Sequence, residues 1–485
     1  MKPRVRVVVL LVALAVVLCS TAAMAATKAP TPTQSNGRYL VVFTSDTLPS
    51  DAAKRIVNSG GKVVRAFQQI GVVSVIGDAT FVSKIAKDAK VLSVGPEHMF
   101  AAPHVQALEV TEDAAVVEGA PLPADNLYYY QWDIRRIGAP AVWARLPLSA
   151  ATPRVAVLDV GVMHTHPDLV GQVDTMVATS YCPTGGSYPV YTTYIDFDSN
   201  PNWTPSDGCS ALGGTIYQAH GTHVAGTIAA NFGGGRVVGV APDAKVGAYK
   251  VFDVYLYEGD LYLGAFDTAI FNAIIDATLH SYRVISLSLG TYGLRNDKDY
   301  NASWLAWDRV AKWANRNGAL IVASSGNSAV NLNGTLFHMP SDLPTVMSTS
   351  ATASSFLLGP PYDAAPGSDY LASYSNYGAA VDIAAPGGDC YPYVDPLYCT
   401  SYVQYWILNA GIRESGPTSG QAAYYFMQGT SMATPHVSAV AAWLFAMHPD
   451  WTPGDVRSWL KTTAEVIGSR QQFGHGMVNA DAATQ

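Results

Sequence analysis

At 485 residues the chain is longer than one ordinary domain, with room for a large core and a smaller unit beside it. Hydrophobic residues make up 49% and charged residues only 14%, which excludes a disordered chain. The formal net charge of -8 offers no basic surface and argues against nucleic acid as a partner.

Lys2, Arg4 and Arg6 precede an apolar run over residues 7–18, and Ala23-Met24-Ala25 stands before Ala26. A basic start, a short apolar run and an A-x-A site predict a secretory signal peptide over 1–25, too short for a permanent membrane span. No later stretch is apolar enough to span, so the expected location is extracellular or periplasmic without stable membrane insertion. Cys19 leaves with that segment, and the remaining Cys182, Cys209, Cys390 and Cys399 form an even set suited to an oxidising compartment. The expected pairing is local, Cys182 with Cys209 and Cys390 with Cys399, each closing a loop rich in Tyr, Pro, Gly and Ser. Zinc is disfavoured, because the pairs lack C-x-x-C spacing and neighbouring histidines.

Residues 26–100 read as a small α+β unit. Strands are predicted at 38–43, within 62–76 and at 91–94, and helices at 50–58 and 79–87. That βαββαβ order is ferredoxin-like. Residues 101–126 show no clear period and read as a linker. From 127 to 485 the runs VAVLDV (155–160), VISLSLG (284–290) and ALIVASSGN (319–327) alternate with helical stretches at 221–231, 265–281 and 304–317. Continuous β-rich runs separated by helices predict an α/β three-layer sandwich around a mainly parallel sheet, with functional groups at the carboxyl ends of strands. No internal repeat is present.

Polar clusters stand at those ends. Asp159 closes a strand in VAVLDVGVMHTHPDL, His220 opens a helix in AHGTHVAGTIAA, and Asn327 ends SSGN. Ser431 opens the helix of QGTSMATPHVSAVAA, where a serine caps well but can also react. His223 lies one turn after His220, yet no H-E-x-x-H and no nearby Glu support a metal. Amide hydrolysis requires a nucleophile, a base, a group that orients the base, and donors for the oxyanion. Ser431, His220 and Asp159 supply the first three, and the Ser431 N–H with the Asn327 amide can supply the donors.

DVGVMHTHPDL, HGTHVAGTIAA, SSGN and GTSMATPHV, in that order, resemble the Asp, His, oxyanion and Ser motifs of subtilisin-type serine peptidases. Further similarity lies in VISLSLG, ASYSNYGAAVDIAAPG (372–387) and FGHGMVNADAA (473–483). The resemblance implies a subtilisin-like fold and a secreted serine endopeptidase of broad specificity, working through an acyl-enzyme without a cofactor, on protein or peptide substrates. A dedicated maturation peptidase is the alternative, and an inactive binding homologue a weaker one. The α+β unit is similar to the family's propeptide, a folding aid and intramolecular inhibitor. A monomer is expected. An α/β-hydrolase esterase is disfavoured, since Ala433 stands where G-x-S-x-G needs its last glycine.

By the same resemblance Ser288, Leu289 and Gly290 form an exposed strand edge for substrate, and Ser324, Ser325 and Gly326 wall the first pocket. His338 falls near the base of that pocket, where its titration would shift specificity between about pH 5 and 8. Three departures stand out. Val160 replaces the usual Ser or Thr beside Asp159, removing one side-chain hydrogen bond. Asp168 matches a carboxylate that often binds calcium, but its partner loop NFGGGRVVG (231–239) lacks side-chain oxygens in its middle and carries Arg236. Tyr-rich insertions occupy 181–217 and 388–426.

Overall fold

The computed structural model describes residues 37–103, 106–110, 125–178, 204–205, 219–233, 235–257, 260–359, 361–390, 402–413 and 420–485. The expected signal peptide, three of the four cysteines in question (Cys182, Cys209 and Cys399) and nearly all of the first insertion lie outside the described residues. Cys390 is described and is disulfide-bonded.

The N-terminal unit contains β1 (Arg38–Phe43), α1 (Ala52–Asn58), β2 (Lys62–Phe67), β3 (Val72–Ile76), α2 (Ala79–Ile85) and β4 (Val91–Pro96). Its strands pair in the order β2-β3-β1-β4, all antiparallel, which is the expected βαββαβ sheet. The two-residue period of β1 divides it between two cores. Tyr39, Val41 and Phe43 pack with Ile56, Phe81 and Ile85 of the unit itself. Leu40 and Val42 belong instead to a core shared with the larger body. At the end of the 26–100 unit stands β5 (Met99–Ala101), and the stretch without clear period contributes β6 (Gln106–Glu109).

The larger body begins with α3 (Trp132–Arg136), α4 (Ala139–Trp143), β7 (Arg154–Asp159), β8 (Val173–Ala178) and β9 (Thr204–Pro205). It continues through α5 (Ala219–Ala229), β10 (Lys245–Lys250), β11 (Asp253–Tyr257), β12 (Asp260–Phe266), α6 (Asp267–Leu279), β13 (Val284–Leu287) and β14 (Thr291–Leu294). Then come α7 (Asn301–Arg316), β15 (Leu320–Ser324), β16 (Leu336–Met339), β17 (Met347–Ser354), β18 (Leu357–Leu358), β19 (Asp363–Ala364), β20 (Asp369–Leu371) and β21 (Ile383–Pro386). The hairpin β22 (Ile407–Ile412) and β23 (Ala422–Gln428) leads into α8 (Thr430–Met447), and short helices finish the chain.

The central sheet runs β20-β17-β15-β13-β7-β10-β8-β9, with β21 also beside β17. Every pair except β17–β20 is parallel. Side chains alternate between two apolar cores, as a sheet covered on both faces demands. Val155 and Val157 of β7 face α5 and α8, whereas Ala156 and Leu158 face α6 and α7.

The small sheet lies against α6 and α7. Glu97, just after β4, is fully buried and accepts from Arg38 Nε at 2.9 Å, Ser74 Oγ at 2.8 Å and the Thr268 N–H of α6 at 2.9 Å. Burial opposes its charge, but Arg38 and these donors hold the carboxyl below its ordinary pKa. Asp267 beside it accepts from the His98 N–H and from Trp307 Nε1, and burial raises its pKa to about 7. Arg309 of α7 donates to the Ser45 and Ile70 carbonyls, and Arg65 donates to Asn272. Glu97→Ala leaves Arg38 buried without its carboxylate, a loss of about 3–5 kcal/mol for a broken buried pair. A clear fall in the unfolding midpoint of the full chain carrying Ser431→Ala is the expected measurement.

Candidate active site

The carboxyl end of β7 presents Asp159, fully buried. Its two oxygens each lie 2.9 Å from Nδ1 of His220, the second residue of α5. Val160 offers no hydroxyl, and its backbone N–H donates to Asp159 Oδ1 at 2.7 Å. His220 can approach because residue 221 is glycine: a Cβ there would lie 2.1 Å from the Gly161 carbonyl oxygen and 3.0 Å from Asp159 Oδ1. With Nδ1 fixed as the donor, Nε2 is buried without a hydrogen-bond partner among the described residues.

His223 plays a different part. Its Nε2 donates to the Ile407 and Tyr425 carbonyls, both at 3.1 Å, tying α5 to the β22–β23 hairpin. Burial lowers its pKa to about 3, so it stays neutral.

Ser431 is the second residue of α8, which packs against α5. Its Oγ donates to the Ser288 carbonyl at 3.3 Å, and its own carbonyl accepts from Ser288 Oγ at 2.8 Å. That second bond has a covalent reason. Pro435, four residues on, has no N–H to give the Ser431 carbonyl, and a buried carbonyl needs a donor. The exposed Asn327 accepts through Oδ1 from the Thr430 N–H at 2.9 Å and from Thr430 Oγ1 at 2.7 Å. Two donors on one atom settle which end is oxygen, and leave the NH₂ as the amide's remaining donor near the N-terminus of α8. A base with one nitrogen fixed, a serine at a helix start and an amide donor are the parts of acyl transfer.

Of the expected substrate-lining residues, Ser288 and Leu289 lie just past the end of β13 and are buried, not exposed in a strand edge as expected, while Ser324 ends β15 and Ser325 follows it, both buried. His338 stands in β16, opposite Tyr292 of β14. Its ring fills the space between two glycine walls: a Cβ on Gly290 would lie 2.1 Å from His338 Cε1, and one on Gly326 would lie 2.9 Å from Cδ2. His338 Nδ1 is 2.9 Å from Ser341 Oγ, and burial lowers the ring's pKa to about 3. The expected titration between pH 5 and 8 is therefore corrected, because a buried imidazole with no carboxylate partner resists charging.

Other residues of this region escaped the sequence reading. Thr430 orients Asn327, and Asn376 braces the loop behind it, accepting from the Ser328 and Val330 N–H groups and donating to the Ser325 carbonyl and Tyr292 hydroxyl. Asp133 of α3 accepts from His436 Nε2 at 2.9 Å, while His436 Nδ1 donates to the Met432 carbonyl, fixing the first turns of α8. The ASYSNYG and TPHV strings contained Asn376 and His436 without showing their partners.

Asp168 does not suit calcium. Its oxygens accept from the Arg236 N–H at 2.8 Å and the Tyr424 hydroxyl at 2.5 Å, and Asp125 accepts from the Gly233 and Gly235 N–H groups. The loop thus turns N–H donors toward these carboxylates, whereas a cation needs carbonyl or carboxylate oxygens around it. No group of three or more His, Cys, Asp or Glu able to hold a metal occurs among the described residues.

The family model described as the subtilase family matches residues 151–476. Subtilisin NAT of Bacillus subtilis subsp. natto is 28% identical over 451 residues, spanning 92% of this chain and 90% of that protein. Among solved structures, the epidermin leader peptide processing serine protease EpiP from Staphylococcus aureus is similar with a TM-score of 0.68 at 20% identity, over 92% of this chain and 97% of that one. Fervidolysin from Fervidobacterium pennivorans, described as a keratinolytic enzyme related to subtilisin, gives 0.62 at 26% identity, over 92% and 60%.

Stability should depend on acid through His223 and His338. In the unfolded chain each takes a proton near pH 6.5, and in the folded chain only near pH 3, so their full contribution is present above pH 6.5 and is lost as pH falls. At pH 5 the loss is about 2 kcal/mol for each. Denaturant unfolding of the Ser431→Ala chain at pH 7 and 5 measures it, and His338→Gln should flatten the slope.

Proposed function

The chain belongs to the subtilase family of serine peptidases, hydrolases of peptide bonds, and from that premise we propose that it is a secreted endopeptidase made as a zymogen, with Ser431 as its nucleophile. His220 takes the Ser431 proton and returns it to the leaving amine, and Asp159 holds the tautomer and steadies the imidazolium. The Ser431 N–H and the Asn327 amide take up the oxyanion charge. One observation carries the reading: His220 is locked through Nδ1 onto a buried carboxylate, while the buried Nε2 has no partner. Ser431→Ala should abolish casein hydrolysis. For Asn327→Ala the subtilisin precedent is a loss of about 100- to 1000-fold in turnover, and the same order is expected; unchanged turnover refutes that role.

The α+β unit over 26–100 acts as the propeptide in this reading. What supports it is the shared core with α6 and α7, together with β5, which pairs antiparallel with β12, and β6, which pairs antiparallel with β23 immediately before Ser431. The chain is thereby bound on both sides of the stretch 102–105, and self-cleavage falls there, within the broader region expected from sequence. N-terminal sequencing of the mature protein should begin between residues 103 and 106, and Ser431→Ala should remain uncleaved. Export follows from the signal peptide, with the local disulfides formed on the way. Among the described residues no helix is long and apolar enough to cross a membrane.

Broad specificity is the preferred reading, because strand-edge recognition uses substrate backbone. A dedicated maturation peptidase is the second, favoured by the β22–β23 insertion beside the nucleophile and by the fold likeness to EpiP. His338 and Tyr292 fill the first pocket and restrict it to small side chains at any pH from 5 to 8. His338→Gly should raise kcat/KM about tenfold or more for a peptide with phenylalanine before the cut. A library profile checks both.

A further inference from the structure

β6 lies on β23 as an added strand. The register sets Gln106 opposite Gln428, Ala107 opposite Met427, Leu108 opposite Phe426 and Glu109 opposite Tyr425. Gln428 is three residues before Ser431, so the antiparallel β6 runs away from the nucleophile, while β5, earlier in the chain, is paired with β12. A chain crossing the cleft in this direction leaves Ser431 toward Glu109, as the leaving half of a substrate does.

The contacts are selective in kind. Arg413, just after β22, donates from Nε to Glu109 Oε1 at 2.7 Å and pairs with the same oxygen through Nη2. The Tyr425 hydroxyl donates to the other oxygen, Oε2, at 3.2 Å. Gln428 Nε2 donates to Gln106 Oε1 at 2.6 Å. Both oxygens of one carboxylate are thus satisfied by groups of the hairpin. The strand itself is loosely held: Gln106, Ala107 and Leu108 are exposed, so backbone pairing and these polar contacts carry it rather than apolar burial. An occupant so held can give way to another peptide of the same chemistry.

We propose that the edge of β23, with Arg413 and Tyr425, is a leaving-side subsite that selects extended peptides bearing an acidic side chain three residues after the one that pairs with Gln428. β6 is the chain's own occupant of that subsite before maturation. The proposal rests on the reading of Ser431 as nucleophile.

The test uses the mature enzyme and two fluorogenic peptides, one copying residues 99–110 and one with lysine in place of Glu109. The copied peptide should have a kcat/KM about 3- to 10-fold higher, the range for a charge-assisted pair that is partly exposed. Arg413→Glu should reverse the preference, and Arg413→Ala should erase it. Each variant is first shown to unfold at the unmodified enzyme's temperature. Equal cleavage of the two peptides by an enzyme that still digests casein overturns the subsite. Failure to digest casein or either peptide overturns the peptidase reading beneath it.

Discussion

A close approach that matters for chemistry lies between the first turn of α5 and the turn after β7. Gly221 and Gly161 meet there, and a single methyl group on residue 221 would sit 2.1 Å from a carbonyl oxygen. Without that contact His220 could not reach a carboxylate at the end of a neighbouring strand. Since β7 lies inside a sheet buried on both faces, Asp159 cannot move to compensate. The histidine is therefore placed by backbone packing, and its hydrogen bonds only select the tautomer.

The same logic extends outward. α5 is tied through His223 to two carbonyls of the β22–β23 hairpin, and a Cβ on Gly226 would lie 2.2 Å from Asn409 of that hairpin. The inserted hairpin is thus packed into the support of the base, while its far edge carries β6. A shift of β23 on exchanging one strand for another would be felt at His223 before it reached His220. On the Ser431 side, Pro435 withholds an N–H and Ser288 replaces it, which couples the start of α8 to the residue just past β13.

Much of this was legible in the sequence, and the part that was not has a common cause. Motifs with their chemistry in consecutive residues, such as HGTH and GTSMA, gave both the elements and the groups. The sheet, its main helices and the βαββαβ unit followed from hydrophobic period. Thr430 sat in plain view, but its hold on Asn327 spans a separation of 103 residues, and the Asp133–His436 pair spans 303. Period and spacing carry no such information. His338 shows the complementary limit: an ordinary histidine pKa fits an open site, whereas the fold encloses this ring against Gly290 and Gly326. The linker reading of 101–126 misses β6 because its residues 106–108 are exposed and show no apolar period; its order comes from the edge of β23 far along the chain.

That last point explains how one segment can be both well placed and dispensable. As part of the same chain, β6 meets β23 at a high effective concentration, so pairing that would be weak between separate molecules suffices to order it. Cutting the chain on its N-terminal side removes the tether to β5 but leaves the one that runs on toward α3. The strand then competes with substrate by its own modest contacts, the backbone pairing with β23 and the Glu109–Arg413 pair. A substrate carrying the same charge makes the same contacts but must outcompete a tethered strand, whereas a basic one must in addition face Arg413. In the proposed zymogen, selectivity of this kind would arise from β23, an edge strand that is otherwise left uncovered.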